Sequence, residues 1–345
     1  MDITNTTNTT TATAAPASNS FTIREMQDSD WPLVQAGFAH SFWDSHPPSV
    51  WDWRYQRHLH SAPRQGWRAW LAQAHERGEV IAWQAASVHQ GWREGHACTI
   101  VLPRDNFTHP HWRSGGKRSP YVQVETAFHQ HQIGYATLGL GFGLDRRLKL
   151  AFLAGNAIPF STGQWMQATV EPDMRHQGHS VQLSLTEFEE PEWDALWQQR
   201  RTQVAWSMVR DQAFLHWRFH ARQGKVYHRI AIRSATSRVP LGYIVLQHRS
   251  PTETLWVDGV LPPHPEQLRD TWGLLGRWLH RQGLQRFLTY TTPGCPEYAL
   301  FQGFGWQTCA APLPVLSGFR LYESGLSNQD VLQHYAATLA DSDLF

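Results

Sequence analysis

Hydrophobic and polar positions along the chain fall into two parallel series. Strand-like runs, rich in apolar and β-branched residues, stand at 80–85, 97–102 and 135–142, and again at 242–246 and Arg286–Thr291. Between them, apolar residues recurring every three or four positions predict helices over 121–132 and 266–282, with shorter helices at 148–155 and 298–303. In each half the order reads helix, strand, strand, helix, strand, helix, strand. Strands that alternate with helices predict an α/β sheet with crossover connections.

Local motifs follow the same two-fold order. Trp53-Arg54-Tyr55 recurs as Trp217-Arg218-Phe219, and each half has an aspartate leaving a strand toward proline: Asp105 before Pro110, and Asp258 before Pro262. These correspondences predict a duplication, with one copy over 21–180 and a second over 181–345. Polar residues 174–180 join them, and 187–193 reads as a linker entering the helix that starts the second copy. Residues 1–20 are rich in Thr, Asn and Ala and read as a disordered tail; they have neither the basic start nor the apolar core of a signal peptide.

Composition narrows the class. At roughly 150 residues per domain, 345 residues suit two domains. With 41% apolar and 17% charged residues the chain can bury real cores. Lys+Arg 30 against Asp+Glu 29 leaves a net charge of +1, without the basic excess of a nucleic-acid binder. The 18 tryptophans read first as an aromatic-rich core, with a groove that stacks on sugars as the functional alternative. Cys98, Cys295 and Cys309 are too few for a disulfide framework and form no C-x-x-C, which fits a reducing, cytoplasmic setting. No apolar run reaches the ~18 residues of a membrane span.

The chemistry concentrates in 105–119, Asp-Asn-Phe-Thr-His-Pro-His-Trp-Arg-Ser-Gly-Gly-Lys-Arg-Ser, between a predicted strand and a predicted helix. A glycine-bearing loop at a helix N-terminus turns several backbone N–H groups one way and suits phosphate. Arg113, Lys117 and Arg118 add positive charge, and Pro120 suits the first helical turn. The plain alternative is a solvated loop that caps the helix.

This stretch resembles the GNAT superfamily of acyl-CoA N-acyltransferases, in particular tandem-GNAT proteins of polysaccharide and antibiotic-type biosynthesis. That family shows Asp-x-x-x-His-Pro-x-aromatic-Arg-x-x-Gly in this setting, and Asp105, His109, Pro110, Trp112, Arg113 and Gly116 stand in that register. Gly141-Phe142-Gly143-Leu144-Asp145 partly matches a second motif. The two Trp-Arg-aromatic triplets, Val209-Arg210-Asp211 and Asp341-Ser342-Asp343 also look like the tandem subgroup. The resemblance covers about 21–345.

It implies two tandem GNAT-like mixed-sheet domains that move an acetyl or other acyl group from acyl-CoA to a small-molecule amine such as an amino sugar or a natural-product intermediate. The CoA pyrophosphate would lie on Arg113, Ser114, Gly115, Gly116, Lys117, Arg118 and Ser119, and the pantetheine arm along the strand at Phe107 and Thr108. Asp105 and His109 are the candidate proton acceptors. Two departures stand out. Arg118 occupies a position the family fills with a small residue, and the usual tyrosine acid falls near Ala151 and Phe152 in the first copy and on Phe301 in the second. In the second copy Pro262-Pro263-His264-Pro265 replaces the glycine loop, and prolines remove donors. That copy is expected to shape the molecule, with the acceptor in the groove between copies. The competing classes are a catalytically silent binding module and a Fem-like aminoacyl transferase using charged tRNA, which the charge balance disfavours.

Other chemistry finds less support. Glu125 is expected in solvent, and Arg54 and Arg218 in structural ion pairs. His58/His60, His109/His111 and His129/His131 lack a third ligand at fixed spacing and there is no H-E-x-x-H, so no metal site is expected. No G-x-S-x-G occurs, and the glycines at 139, 141 and 143 miss the dinucleotide register.

Overall fold

The computed structural model describes residues 20–42, 46–56, 66–113, 116–144, 156–170, 179–219, 224–313, 315–342 and 345. In the first half the elements are β1 (Phe21–Glu25), α1 (Trp31–Phe42), α2 (Pro48–Trp51) with a following turn Asp52–Gln56, β2 (Gly66–Ala74), β3 (Val80–Arg93), β4 (His96–Thr108), α3 (Pro120–Gln130), β5 (Leu138–Leu144), β6 (Ile158–Pro159) and β7 (Gln164–Thr169). The second half has β8 (Val181–Leu185), α4 (Glu192–Arg200), β9 (Trp206–Met208), α5 (Gln212–Phe219), β10 (His228–Ser234), β11 (Pro240–Ser250), β12 (Glu253–Val260), α6 (Pro265–Arg281), β13 (Arg286–Thr291), α7 (Pro296–Gly303), β14 (Gln307–Thr308), β15 (Val315–Leu321) and α8 (Asn328–His334). The expected helix 148–155 lies outside the described residues.

The strands form two mixed sheets of the same topology. One runs β1-β2-β3-β4-β5-β15-β6, with β9 beside β3; the other, read from its opposite edge, runs β8-β10-β11-β12-β13-β7-β14. The two halves have therefore exchanged a strand. β7 pairs antiparallel with β13 of the second sheet, and β15 pairs antiparallel with β5 of the first. A cut near 180 separates the repeats along the sequence but does not separate the sheets. Each repeat also opens on a short strand, β1 or β8, ahead of the helix with which the sequence pattern starts it.

Alternation along the strands decides which face meets which helix. In β2, Trp70, Ala72 and Ala74 turn toward α3, where Val124 and Phe128 meet them one helical turn apart. Ala69 and Leu71 turn the other way, toward Val34 and Phe38 of α1. β3 is buried from Val80 to His89 because both of its faces are covered. α6 repeats the arrangement with Leu268, Trp272, Leu275 and Leu279 at helical spacing. The two sheets share one core, in which Ile100, Leu102 and Leu140 of the first lie in one apolar cluster with Val245, Leu255 and Leu288 of the second.

Candidate active site

β4 and β5 are parallel and pair only at Ile100↔Leu138 and Val101↔Gly139. Beyond those rungs the strands diverge, so the β5-facing backbone groups of β4 from Leu102 onward have no ladder partner on β5. The other edge of β4 is interrupted too. Phe107 pairs with Trp83 and Arg104 with Ala85, which leaves Asp105 and Asn106 opposite the single residue Gln84. This is a β-bulge, and Asp105 sits in it at φ +54°.

The Asp105 side chain is largely buried, with 10% of its surface exposed, and both of its carboxylate oxygens are engaged. Oδ1 accepts from Arg54 Nη1, and Oδ2 accepts from the Tyr55 hydroxyl at 2.6 Å. His46 Nε2 lies 3.6 Å from Oδ1. Burial alone would raise this carboxyl. The Arg54 charge, with bonds from His46, Arg54 and Tyr55, more than reverses that and holds it well below the usual carboxylate range. Asn106 points elsewhere, and its Nδ2 donates to the Tyr121 hydroxyl at 3.4 Å, at the start of α3. Sequence reasoning passed over Tyr121, because nothing local says that the first turn of α3 reaches back to the bulge.

Phe107 turns into the core against Phe38 and Trp83, so only its backbone is available to a ligand. Close packing requires glycine opposite it: a Cβ on Gly37 of α1 would meet the Phe107 ring at 2.6 Å. Thr108 pairs with Ala82. Its carbonyl accepts from Arg113 Nε at 3.0 Å, while Arg113 Nη2 donates to the Ser41 carbonyl at 3.1 Å. Arg113 thus fastens the loop to the end of α1. Ser119 is the N-cap of α3, accepting from the Val122 amide at 3.2 Å, and Pro120 takes the first helical position. Gly116 adopts φ +53°, with nothing within 4 Å of where a Cβ would stand. Arg118 is exposed. Ser114 and Gly115 lie outside the described residues, as does the Lys117 side chain.

His109 opens this loop and is buried. Its ring stacks on His40 of α1 at 4.5 Å and 12°. Nδ1 accepts from the His111 amide at 3.4 Å, too long to fix the tautomer. Burial, then the neighbouring His40, lower its pKa. The ring lines a cavity of about 500 Å³ between α1 and the β2–β3 turn, with Glu76, Glu79 and Trp112 also on its walls.

The second half departs from this plan where the sequence says it should. Only residues 261–264 separate β12 from α6, and the His264 side chain caps nothing. β12 and β13 also diverge after three rungs, but here the chain itself fills the gap. Thr338 Oγ1 donates to Asp258 Oδ1 at 2.9 Å, and the Ala337 amide donates to Thr292 Oγ1 at 3.0 Å. Arg210 binds both Asp258 at 3.1 Å and Asp341 at 2.5 Å. The turn Leu339–Asp341 packs on both strands, leaving a cavity of only about 30 Å³. Phe301, at the expected acid position, is buried against Trp256 and Trp306. The first-half position near Ala151 is outside the described residues.

The repeated triplets meet face to face. Trp53 and Trp217 stack at 5.1 Å and 14°, and each indole N–H donates to the other's carbonyl, at 2.8 and 3.0 Å. Arg54 goes to Asp105, whereas Arg218 donates to the carbonyls of Ala340, Ser342 and Phe345. Glu125, expected in solvent, is instead buried; it lies 3.0 Å from His129 Nε2, whose Nδ1 is 2.6 Å from the Tyr322 hydroxyl. The three cysteines are free. Among the described residues no group of three or more His, Cys, Asp or Glu could hold a metal ion, and no helix is long and apolar enough to cross a membrane.

No protein-family model and no curated protein matches this sequence. Solved structures do. The chain is similar to a GCN5-related N-acetyltransferase from Anabaena variabilis, with 11% identity over 88% of this chain and 73% of that one, at a TM-score of 0.64. It is also similar to a probable N-acyltransferase from Enterococcus faecalis, with 10% identity over 88% and 73% at 0.62. A GCN5-related N-acetyltransferase from Kribbella flavida gives 12% identity over 88% and 71% at 0.60. At these identities the likeness is one of fold. The chain has the GNAT fold, and its two sheets repeat one topology.

Proposed function

We propose that the chain is an N-acyltransferase that takes an acyl group from acyl-CoA in its first half and delivers it to a small-molecule amine. The observation that carries this reading is the asymmetry of the two gaps between diverging strands. The gap between β12 and β13 is filled by residues 337–341. The gap between β4 and β5 leads instead to a glycine-bearing loop of eleven residues, 109–119, and the capped start of α3. The open space in front of Gly116 fits a diphosphate lying close to the backbone.

In this reading the amides of Arg113–Ser119, including Ser114, Gly115, Gly116, Lys117 and Arg118, hold the pyrophosphate, and Arg118 adds charge from the surface. Main-chain groups at Phe107 and Thr108 face the pantetheine arm. Amides freed by the bulge stabilise the carbonyl oxygen that gains charge when the amine attacks. Attack needs a neutral amine, so a proton must leave it. His109, neutral near pH 7, is the candidate acceptor through water. Asp105, ionised and held by Arg54 and Tyr55, is a poor base, and we assign it to the bulge itself. A catalytically silent binder is the second reading, favoured by the buried Phe301 at an expected acid position.

Melting curves with CoA, desulfo-CoA and acetyl-CoA test the donor, because a ligand of the native state raises its melting temperature by mass action. Gly116→Glu places bulk and a like charge where the diphosphate would lie and should abolish the shift; an undiminished shift rejects the site. Release of free thiol over an amine panel then separates enzyme from silent binder.

A further inference from the structure

Asp105 holds an unusual backbone in place. A non-glycine residue at φ +54° is uncommon, although Asp tolerates it better than most. Its carboxylate is the point at which the bulge meets the turn Asp52–Gln56, through Arg54 Nη1 and the Tyr55 hydroxyl. That turn is fixed in its own right. Tyr55 is buried against Trp51 and Trp83, and Trp53 is locked to Trp217 of the other half by the stack and its two reciprocal bonds. The second half builds a comparable cluster around Asp258, with Tyr243 donating at 2.9 Å, but adds Arg210 and Thr338 and thereby ties that strand to the segment that fills its gap. Only the first half turns the cluster toward a bulge without such a filler among the described residues.

We infer that Asp105 is a positioning residue: clamped by Arg54 and Tyr55, it fixes the β4 bulge so that the freed amide beside it meets the acyl carbonyl, and the Trp53–Trp217 stack braces that clamp from the other half. This inference rests on the acyl-CoA reading. What it adds to that reading is the pair of side chains, and the stack across the two halves, that hold the bulge in place.

The two contributions separate in the protein's preference for acetyl-CoA over CoA. Calorimetric titration of the full chain with each ligand measures both. Asp105→Gly accepts the positive φ but removes the clamp; it should keep its CoA affinity within about twofold and lose the acetyl-CoA preference. Asp105→Asn, which also tolerates this conformation and can still accept a hydrogen bond, should retain most of the preference. Arg54→Gln leaves the largely buried carboxylate with Tyr55, His46 and the nearby Arg104. Its carboxyl should then titrate closer to neutrality, so that the acetyl-CoA preference, flat between pH 5 and 8 in the parent, falls as the pH drops. A preference unchanged in folded Asp105→Gly and Arg54→Gln would overturn the clamp while leaving the acyl-CoA reading intact. A parent protein that binds neither ligand would overturn both.

Discussion

His109 and Asp105 lie four positions apart in the sequence, and the structure gives them opposite protonation chemistry. Asp105 has a dedicated cation and stays ionised; His109 stacks on a second imidazole and is pushed toward the neutral form. For His109 the folded pKa lies below the unfolded value of roughly 6.5. The folded state therefore takes up the proton less readily than the unfolded chain, and stability present above about pH 6.5 is lost as the pH falls below it. Denaturant titrations at pH 8 and pH 5.5 should show a larger acid loss in the parent than in His109→Gln, and equal losses would reject the assignment. If His109 also accepts the proton of the attacking amine, kcat/KM should fall on the acid side of the same range, and His109→Gln should lose that limb together with rate. Glu125 shows what a single position cannot reveal. In the α3 pattern it reads as one polar residue among several, and its partner His129 is only one turn away. The group that completes the buried chain is Tyr322, nearly two hundred residues later and brought there by the exchanged strand.

At the scale of elements, the legible parts are those whose signal is local. α6 advertises itself through Leu268, Leu275 and Leu279, β13 through Phe287, Leu288 and Tyr290 set among β-favouring threonines, and α3 through Ser119-Pro120 ahead of Val124 and Phe128. β1 and β8 are five residues each, with exposed polar positions, and such short edge strands take their conformation from a neighbour rather than from a pattern. β2 was equally silent because Trp, Arg, Ala and Gln alternate there without a clear apolar face until α1 and α3 supply one on each side. The loop before α3 was legible as chemistry, since glycine, cations and a cap stand together, but the bulge behind it was not, because a bulge is a mismatch between two strands. The cap gives a test at this scale. Ser119→Ala removes the acceptor of the Val122 amide and should cost about 1 kcal/mol, within the usual 0.5–2 for such caps. Ser119→Asp should recover most of it. If the start of α3 also orders the diphosphate loop, Ser119→Ala should weaken CoA binding by more than the stability loss alone implies, and an affinity equal to the parent's would limit the cap to folding.

The exchange of β7 and β15 makes the two repeats one cooperative body. Duplication is readable from Trp53-Arg54-Tyr55 and Trp217-Arg218-Phe219, but the pairing of their ends is not, because β7 and β15 each join a strand of the other repeat that lies far away in the sequence. Separate chains covering 1–178 and 179–345 would test this. The first would lack β15, leaving the outer edge of β5 bare and β6 without its partner strand; the second would lack β7, with the same consequence for β13 and β14. Each would also expose its side of the shared core, including Leu102 and Leu140 on one fragment and Val245 and Leu288 on the other. Unpaired edges and exposed apolar faces favour aggregation. Either fragment expressed alone should therefore be insoluble or lack a cooperative melting transition. Together they should co-purify one to one and recover the far-ultraviolet dichroism of the intact chain. The complex should also be weakened by Trp53→Ala or Trp217→Ala, since each removes one of the two stacked rings and the hydrogen bond that its indole N–H donates to the other's carbonyl. Fragments that fold cooperatively as separate monomers would mean that the exchanged strands are dispensable, and that the halves are domains joined by a linker rather than a single unit in which one repeat completes the sheet of the other.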